Sequence, residues 1–432
     1  MKPERGGLKK EEVLFLCLLA FSFLFGRLLY LEMPPDREEG AAALIASAIS
    51  KGELPYKDYY TESQPFIFYL YKSAFSFSGE SFRSVRAFTA AYACLAVFLA
   101  FMLSRILFGK LAAALSAFFY ALFLNNASTG GFSSSPAVFT HIFMMLSLLF
   151  LLDREKGYEK AGFFISGFFI SAAMLVDTAA SAALAAGLIY IMKRPEIKKI
   201  RALAVSWYAA GLASAAALAA VWMIYNGLAP HYMEAAAGSF KGMFLPGEFR
   251  RTAAGLIMAA LSCPALAVAA AFGAARIVTG ERDGREFAVT LSGLLLLAVM
   301  LLQGEAQKRF ALTLPFLSVA AGYYTAMAFF SAGRMAGAKA AAGLLMLYLA
   351  LNMAALEAFS STYRQGFTGM PGSRSSYDAS QIAAYIRANK NESSRLLAWP
   401  DEPSIYFLSG IRPQGRHISG RGIRTKEQRS AF

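Results

Sequence analysis

A succession of long apolar runs constrains this chain more than any other feature. About eleven stretches are nearly free of charge, at 13–33, 85–104, 109–124, 136–152, 162–176, 179–192, 202–225, 253–275, 287–302, 310–331 and 340–359. Several reach the ~20 residues that a helix needs to cross the hydrocarbon core of a bilayer. The third, fourth, sixth and ninth are short for a full crossing. The run from 162 to 192 is too long for one span, and Asp177-Thr178 interrupts it. It reads as two short helices with that pair at the turn.

With 57% hydrophobic and 16% charged residues, the chain has the composition of a polytopic membrane protein. The net charge of +14 sits in short loops between apolar runs, so it reads as a topological signal and not as a nucleic-acid footprint. Cys17, Cys94 and Cys263 have neither zinc nor disulfide spacing and are expected as buried thiols. The first apolar run is long enough to span and lacks a small-residue cleavage site, so no cleavable signal peptide is expected.

Lysine and arginine set the orientation. They cluster at Lys2–Lys10, Arg105 with Lys110, Arg154–Lys160, Lys193–Arg201, Arg276–Arg285 and Arg334 with Lys339. By the positive-inside rule these loops face the cytoplasm. The segments 34–84, 125–135, 226–252, 303–309 and the tail from about 360 then lie outside. The expectation is a multi-pass plasma (inner) membrane protein with a cytoplasmic N-terminus and an external, periplasmic tail. Residues 1–361 form its membrane domain, and 362–432 a short external α/β tail. In that tail Gln381–Lys390 reads as a helix, while Arg395–Trp399 and Ser404–Leu408 read as strands.

The first external loop carries the most unusual chemistry. Asp36, Glu38 and Glu39 crowd together just past the first span, and Glu53, Asp58 and Glu62 follow. Repulsion and partial desolvation raise the pKa of at least one member of such a cluster, which suits a general base. The same hard oxygen ligands suit a divalent cation; no other cofactor is implied. Ala41–Ile49 reads as an interfacial helix, ended by Gly52 and Pro55. The aromatic stretch Pro65–Phe77 reads as a second.

The order Pro35-Asp36-Arg37-Glu38-Glu39-Gly40, Leu44–Ile49, then Gly52-Glu53-Leu54-Pro55-Tyr56-Lys57-Asp58 resembles the first external loop of polytopic superfamily C glycosyltransferases. These are the protein-mannosyltransferase and lipid A aminoarabinose-transferase types. Arg309-Phe310 to Pro315 and the tail segments Ile382–Ile386, Leu397–Trp399 and Pro403–Gly410 resemble later parts of the same family. The resemblance implies an all-α membrane fold with about eleven spans. It also implies a sugar donor carried on polyprenyl phosphate and a lipid, glycan or protein acceptor. Transfer is inverting, and a first-loop carboxylate is the base.

Carried onto this sequence, the resemblance makes Glu38 the catalytic carboxylate, with Asp36 and Glu39 beside it. Tyr56, Lys57, Asp58, Gln64, His231, Lys308 and Arg309 are the substrate-binding candidates. Two departures stand out. Glu38 occupies a position that the family usually fills with aspartate. Ser63-Gln64-Pro65 replaces a common Lys-Pro-Pro, so Lys57, Lys72, Lys308 and Arg309 are the external candidates for meeting donor phosphate. Two other readings stay open: a lipid or sugar transporter (flippase), and a catalytically inactive homologue acting in envelope assembly.

Overall fold

The fold is described from a computed structural model. It describes residues 7–28, 30–31, 35–126, 129–152, 159–193, 200–242, 263–279, 284–303, 310–331, 373–389 and 402–418, with single positions or pairs between 253 and 260 and at 396. The described part is helical. Its elements are α1 (Lys10–Leu28), α2 (Arg37–Ser50), α3 (Phe66–Ser78), α4 (Phe82–Phe108), α5 (Lys110–Leu124), α6 (Pro136–Leu152), α7 (Glu159–Met174), α8 (Ser181–Lys193), α9 (Arg201–Tyr225) and α10 (Ala229–Gly242). Then come α11 (Pro264–Thr279), α12 (Gly284–Gln303), α13 (Phe310–Ser331), α14 (Ser373–Asn389) and α15 (Ser404–Ser409).

Four of these helices, α4, α9, α12 and α13, are long and apolar enough to cross a membrane, and α5, α6, α7, α8 and α11 are shorter apolar helices. The break read at Asp177-Thr178 is present. There Asp177 caps a short 3-10 turn, Thr178–Ala180, by accepting from Ala179 N–H at 2.9 Å. The expected span at 340–359 and the domain boundary at 361 lie outside the described residues.

Buried apolar side chains form two clusters. One runs through the bundle from α1 and α4 to α13. The other joins α2, α3, the turn at Tyr56–Tyr60, α14 and α15 into a layer over one end of that bundle. The bundle is tightened where small residues let backbones meet, as in other membrane helices. A Cβ on Gly167 of α7 would come within 2.0 Å of the Tyr208 carbonyl of α9, and one on Gly211 within 1.9 Å of the Phe164 carbonyl.

Two buried ion pairs tie α4 to the N-terminal part of the chain. Arg105 Nε lies 2.8 Å from Glu12 Oε1 of α1, with both side chains under a tenth exposed. Arg86 Nη2 lies 2.8 Å from Glu39 Oε2 of α2, also fully enclosed. At about 1.5 Å per residue the two arginines stand about 28 Å apart along α4, close to the ~30 Å thickness of a hydrocarbon core. Arg105, read from the sequence as a loop charge, is instead a buried partner inside the helix.

The tail differs from its expectation. Ser404–Leu408 is helical, not a strand, and among the described residues the tail forms no sheet. Pro403 stands at the N-cap and Gly410 ends the helix in the left-handed conformation at φ 67°, the usual asymmetry of helix ends. The helix start presses on α2: a Cβ on Gly40 would lie 2.6 Å from the Ser404 backbone nitrogen. The helix expected at 381–390 begins earlier, at Ser373. Of the expected strand 395–399 only Leu396 is described, in an isolated bridge to Pro413. The cysteines also differ from one another, with Cys17 exposed, Cys94 half-buried and Cys263 buried.

Candidate active site

The acidic cluster is built into the start of α2. Asp36 is its N-cap, with Oδ1 accepting from Glu39 N–H at 2.8 Å. Glu39 reaches back, and its Oε2 accepts from Asp36 N–H at 3.0 Å. This reciprocal capping box satisfies two of the backbone donors that every helix start leaves open. The Asp-x-x-Glu spacing at Asp36–Glu39 is a capping signal in the sequence itself.

Glu39 is saturated with donors. Besides Arg86 and Asp36 N–H, its Oε1 accepts from Ser134 N–H at 2.8 Å and lies 3.4 Å from Ser133 Oγ. Burial alone would raise this carboxyl; the Arg86 guanidinium and the Ser134 and Asp36 N–H groups outweigh it and hold Glu39 below the usual carboxylate range. Glu39 therefore reads as the anchor of the cluster. Asp36 Oδ2 accepts from Ser133 Oγ–H at 3.0 Å. Glu38 occupies the first turn of α2 between these two and is half-buried.

The loop supplying Ser133 and Ser134 is itself held from α1. Arg27, in the last turn of that helix, donates to the carbonyls of Leu124, Gly131 and Phe132 at 3.1, 2.7 and 2.8 Å. Tyr30 Oη donates to the Asn125 carbonyl, and Arg86 Nη1 returns a bond to the Tyr30 carbonyl at 2.9 Å. From α3, Tyr71 donates to the Ser134 carbonyl at 2.8 Å. Burial, with the nearby charges of Glu39, Asp36 and Glu38, pushes the Tyr71 hydroxyl well above its ordinary pKa, so it stays a donor. Arg27, Arg86, Ser133 and Ser134 lie outside the first loop in sequence, and no spacing signal marks them; Tyr71 lies in that loop's aromatic stretch, where nothing sets it apart from its neighbours.

A second group gathers at the other end of α3. Gln64 Oε1 accepts from Tyr232 Oη–H of α10 at 2.9 Å, and the Tyr232 ring meets Tyr56 edge-on at 5.2 Å. Tyr56 is 1% exposed and, at φ 66°, adopts a left-handed backbone that side-chain-bearing residues rarely take. That turn is fixed on three sides: Tyr56 N–H donates to the Tyr59 carbonyl at 2.9 Å, Tyr56 Oη to Ser63 O at 2.8 Å, and Arg416 Nε to Tyr56 O at 3.0 Å. Arg416 also pairs with Glu234 of α10 at 2.7 Å. His231 lies half-buried on α10 next to Tyr232. Lys57 and Asp58 stand exposed at the tip of the turn, where Asp58 Oδ2 accepts from Leu54 N–H at 2.7 Å.

The structure thus joins Tyr56 and Gln64 to α10, and joins Asp36 and Glu39 to a serine loop. Lys308 and Arg309 lie outside the described residues. His141, in the bundle, is engaged at both ring nitrogens, by Tyr120 Oη at 2.6 Å and the Ala311 carbonyl at 2.9 Å. That is a packed histidine. Among the described residues, no group of three or more His, Cys, Asp or Glu side chains is arranged to hold a metal ion.

Residues 62–225 match the family model for dolichyl-phosphate-mannose-protein mannosyltransferase. No curated protein matches the chain at the sequence level. Among solved structures, ArnT from Cupriavidus metallidurans bound to undecaprenyl phosphate superposes with a TM-score of 0.63 at 13% identity, over 93% of this chain and 85% of that one. The oligosaccharyltransferase of Archaeoglobus fulgidus superposes with a TM-score of 0.60 at 16% identity, over 94% of this chain. Its complex with an inhibitory peptide and a dolichol-phosphate gives 0.55 at 14%. This chain spans only 62 to 64% of that archaeal protein's length. In fold the chain is similar to ArnT and to the archaeal oligosaccharyltransferase, and its residues 62–225 match the mannosyltransferase family model.

Proposed function

We propose that the protein moves a sugar from a polyprenyl-phosphate donor to a lipid, glycan or protein acceptor at the outer face of the membrane, with inversion. One observation carries this reading. A carboxylate cluster is locked to a helix start in the layer covering one end of a superfamily C bundle, with Glu38 in the first turn between two capping carboxylates. Glu38 is the base, taking the proton of the acceptor hydroxyl as the lipid phosphate leaves. Gln64 and Tyr232, half-buried against the enclosed Tyr56 and with His231 beside them, offer amide and hydroxyl groups to a sugar. The test is transfer from polyprenyl-phosphate-linked sugars by the purified protein. Mass spectrometry of envelope glycans and glycolipids from cells with and without the gene would identify the product. An unchanged envelope and no transfer from any such donor would overturn the reading.

Two further outcomes belong to it. Lys308 and Arg309 neutralise the donor phosphate, so changing both to Gln weakens donor use by about 1.5–3 kcal/mol, the scale of a charge-assisted hydrogen bond. Donor KM and kcat/KM equal to the parent's would remove them from the site. The loop charges place the N-terminus in the cytoplasm and the tail outside. A reporter fused after residue 362 is expected to behave as external and one at Lys198 as cytoplasmic. Both on one side, or the reverse, would discard this topology.

A further inference from the structure

Ser133 is 5% exposed, and its hydroxyl reaches across to α2 instead of closing its own turn. It lies 3.0 Å from Asp36 Oδ2 and 3.4 Å from Glu39 Oε1. A serine hydroxyl has one proton to give. Glu39 Oε1 already accepts from Ser134 N–H at 2.8 Å, so the shorter contact, to Asp36, takes the proton. The other Asp36 oxygen caps Glu39 N–H. Around Asp36 stand Arg37, Glu38 and Glu39 of α2, Arg86 of α4 and Tyr71 of α3. Arg86 is directed at Glu39 and the Tyr30 carbonyl, and the Tyr71 hydroxyl at the Ser134 carbonyl.

We propose that Ser133 is a positioning residue for transfer: its hydroxyl proton keeps Asp36 in the ionised, helix-capping state that fixes the first turn of α2 and with it the placement of Glu38. This rests on the reading of Glu38 as the base. A carboxylate among two others ionises at a cost that donors must offset. When Asp36 takes up a proton, its negative charge is lost from the cap and the turn carrying Glu38 loosens. Loop 129–135, held by Arg27, would then act on the reaction through one hydroxyl group.

The test compares Ser133→Ala with Ser133→Thr in the purified full chain. Loss of a donor favours the protonated carboxyl. The acid limb of kcat/KM for transfer from a polyprenyl-phosphate sugar is therefore expected to move up by about one pH unit in the alanine variant. The threonine variant, which keeps the hydroxyl, follows the parent. The pH dependence of the thermal midpoint reads the same event without turnover. Stability contributed by the ionised cap is present at neutral pH and lost on acidification, and the loss begins at higher pH in the alanine variant. An alanine variant whose pH profile and melting series both superimpose on the parent's overturns the role of Ser133, as does a threonine variant shifted like alanine. A parent that transfers no sugar overturns the functional reading itself, even where the melting series shifts.

Discussion

Glu38→Gln is expected to slow sugar transfer by about 100- to 10,000-fold, the usual worth of general-base assistance, while the protein stays folded. Glutamine keeps the size of the side chain and its hydrogen-bonding reach but removes the basic charge. The position belongs to neither capping bond, since Asp36 and Glu39 exchange those between themselves. Asp36→Asn is the matched control. Asparagine is as good an N-cap as aspartate, so its one amide oxygen keeps the Glu39 N–H bond and α2 still starts at the same place, while its amide nitrogen faces Ser133 and donates to that hydroxyl instead of accepting from it. A carboxylate that acts through its charge on the cap loses part of the rate on that change, because the turn carrying Glu38 loosens, whereas one that takes the proton loses the full factor. Glu38→Asp retains activity, since the family's usual residue is then in place. The measurement is transfer rate alongside thermal midpoint for each variant. If Glu38→Gln and Asp36→Asn both transfer at the parent rate, the base lies elsewhere.

The parts of this fold written in hydropathy were legible in the sequence. The bundle helices follow the apolar runs, and the break at Asp177 is there because a short polar side chain caps its own turn. In the first loop, Gly52 at φ 85° ends the helical layer where the Gly-x-x-Pro spacing placed it. What escaped was written in contacts. α10 lay hidden in a segment read as loop, although Ala229-Pro230 followed by an alanine-rich stretch carries the signature of a helix start. Ser404–Leu408 has the apolar and aromatic content of a strand, yet Pro403, Gly410 and the close approach to Gly40 decide for a helix. In the site, the carboxylates were visible and their division of labour was not. Telling the anchor Glu39 from Glu38 requires Arg86 and Ser134, which stand 47 and 95 residues further along the chain. Only folding brings such partners together, and no local spacing encodes them.

Glu39→Gln is expected to destabilise the protein far more than its small change in shape implies, by about 3–5 kcal/mol, because it leaves the enclosed Arg86 guanidinium without a counter-charge. Glutamine has one amide oxygen, so it accepts from Ser134 N–H or completes the capping box with Asp36 N–H but not both, and the loss combines the missing charge with one unmade bond. Its pH dependence has a definite sign. The folded Glu39 carboxyl sits below its usual range, since Arg86 and the two N–H donors outweigh burial. Its stabilisation is therefore fully present above the unfolded value near pH ~4.3 and is lost as pH falls through the folded value. The parent and Glu39→Gln melting temperatures should differ most at neutral pH and converge in acid. Replacing both partners, as Glu39→Met with Arg86→Met, removes the buried charges together and recovers most of the loss, as apolar replacements of buried pairs commonly do. Recovered stability does not recover the turn. Without Glu39 to receive Ser134 and Asp36 N–H, the start of α2 loses its register against loop 129–135, and transfer stays low in the double variant. A Glu39→Gln variant within about 1 kcal/mol of the parent at pH 7 would show that this pair is hydrated in solution, since exposed ion pairs are worth no more than that. A double variant that melts like the parent and also transfers like it would show that the pair has no part in placing the base.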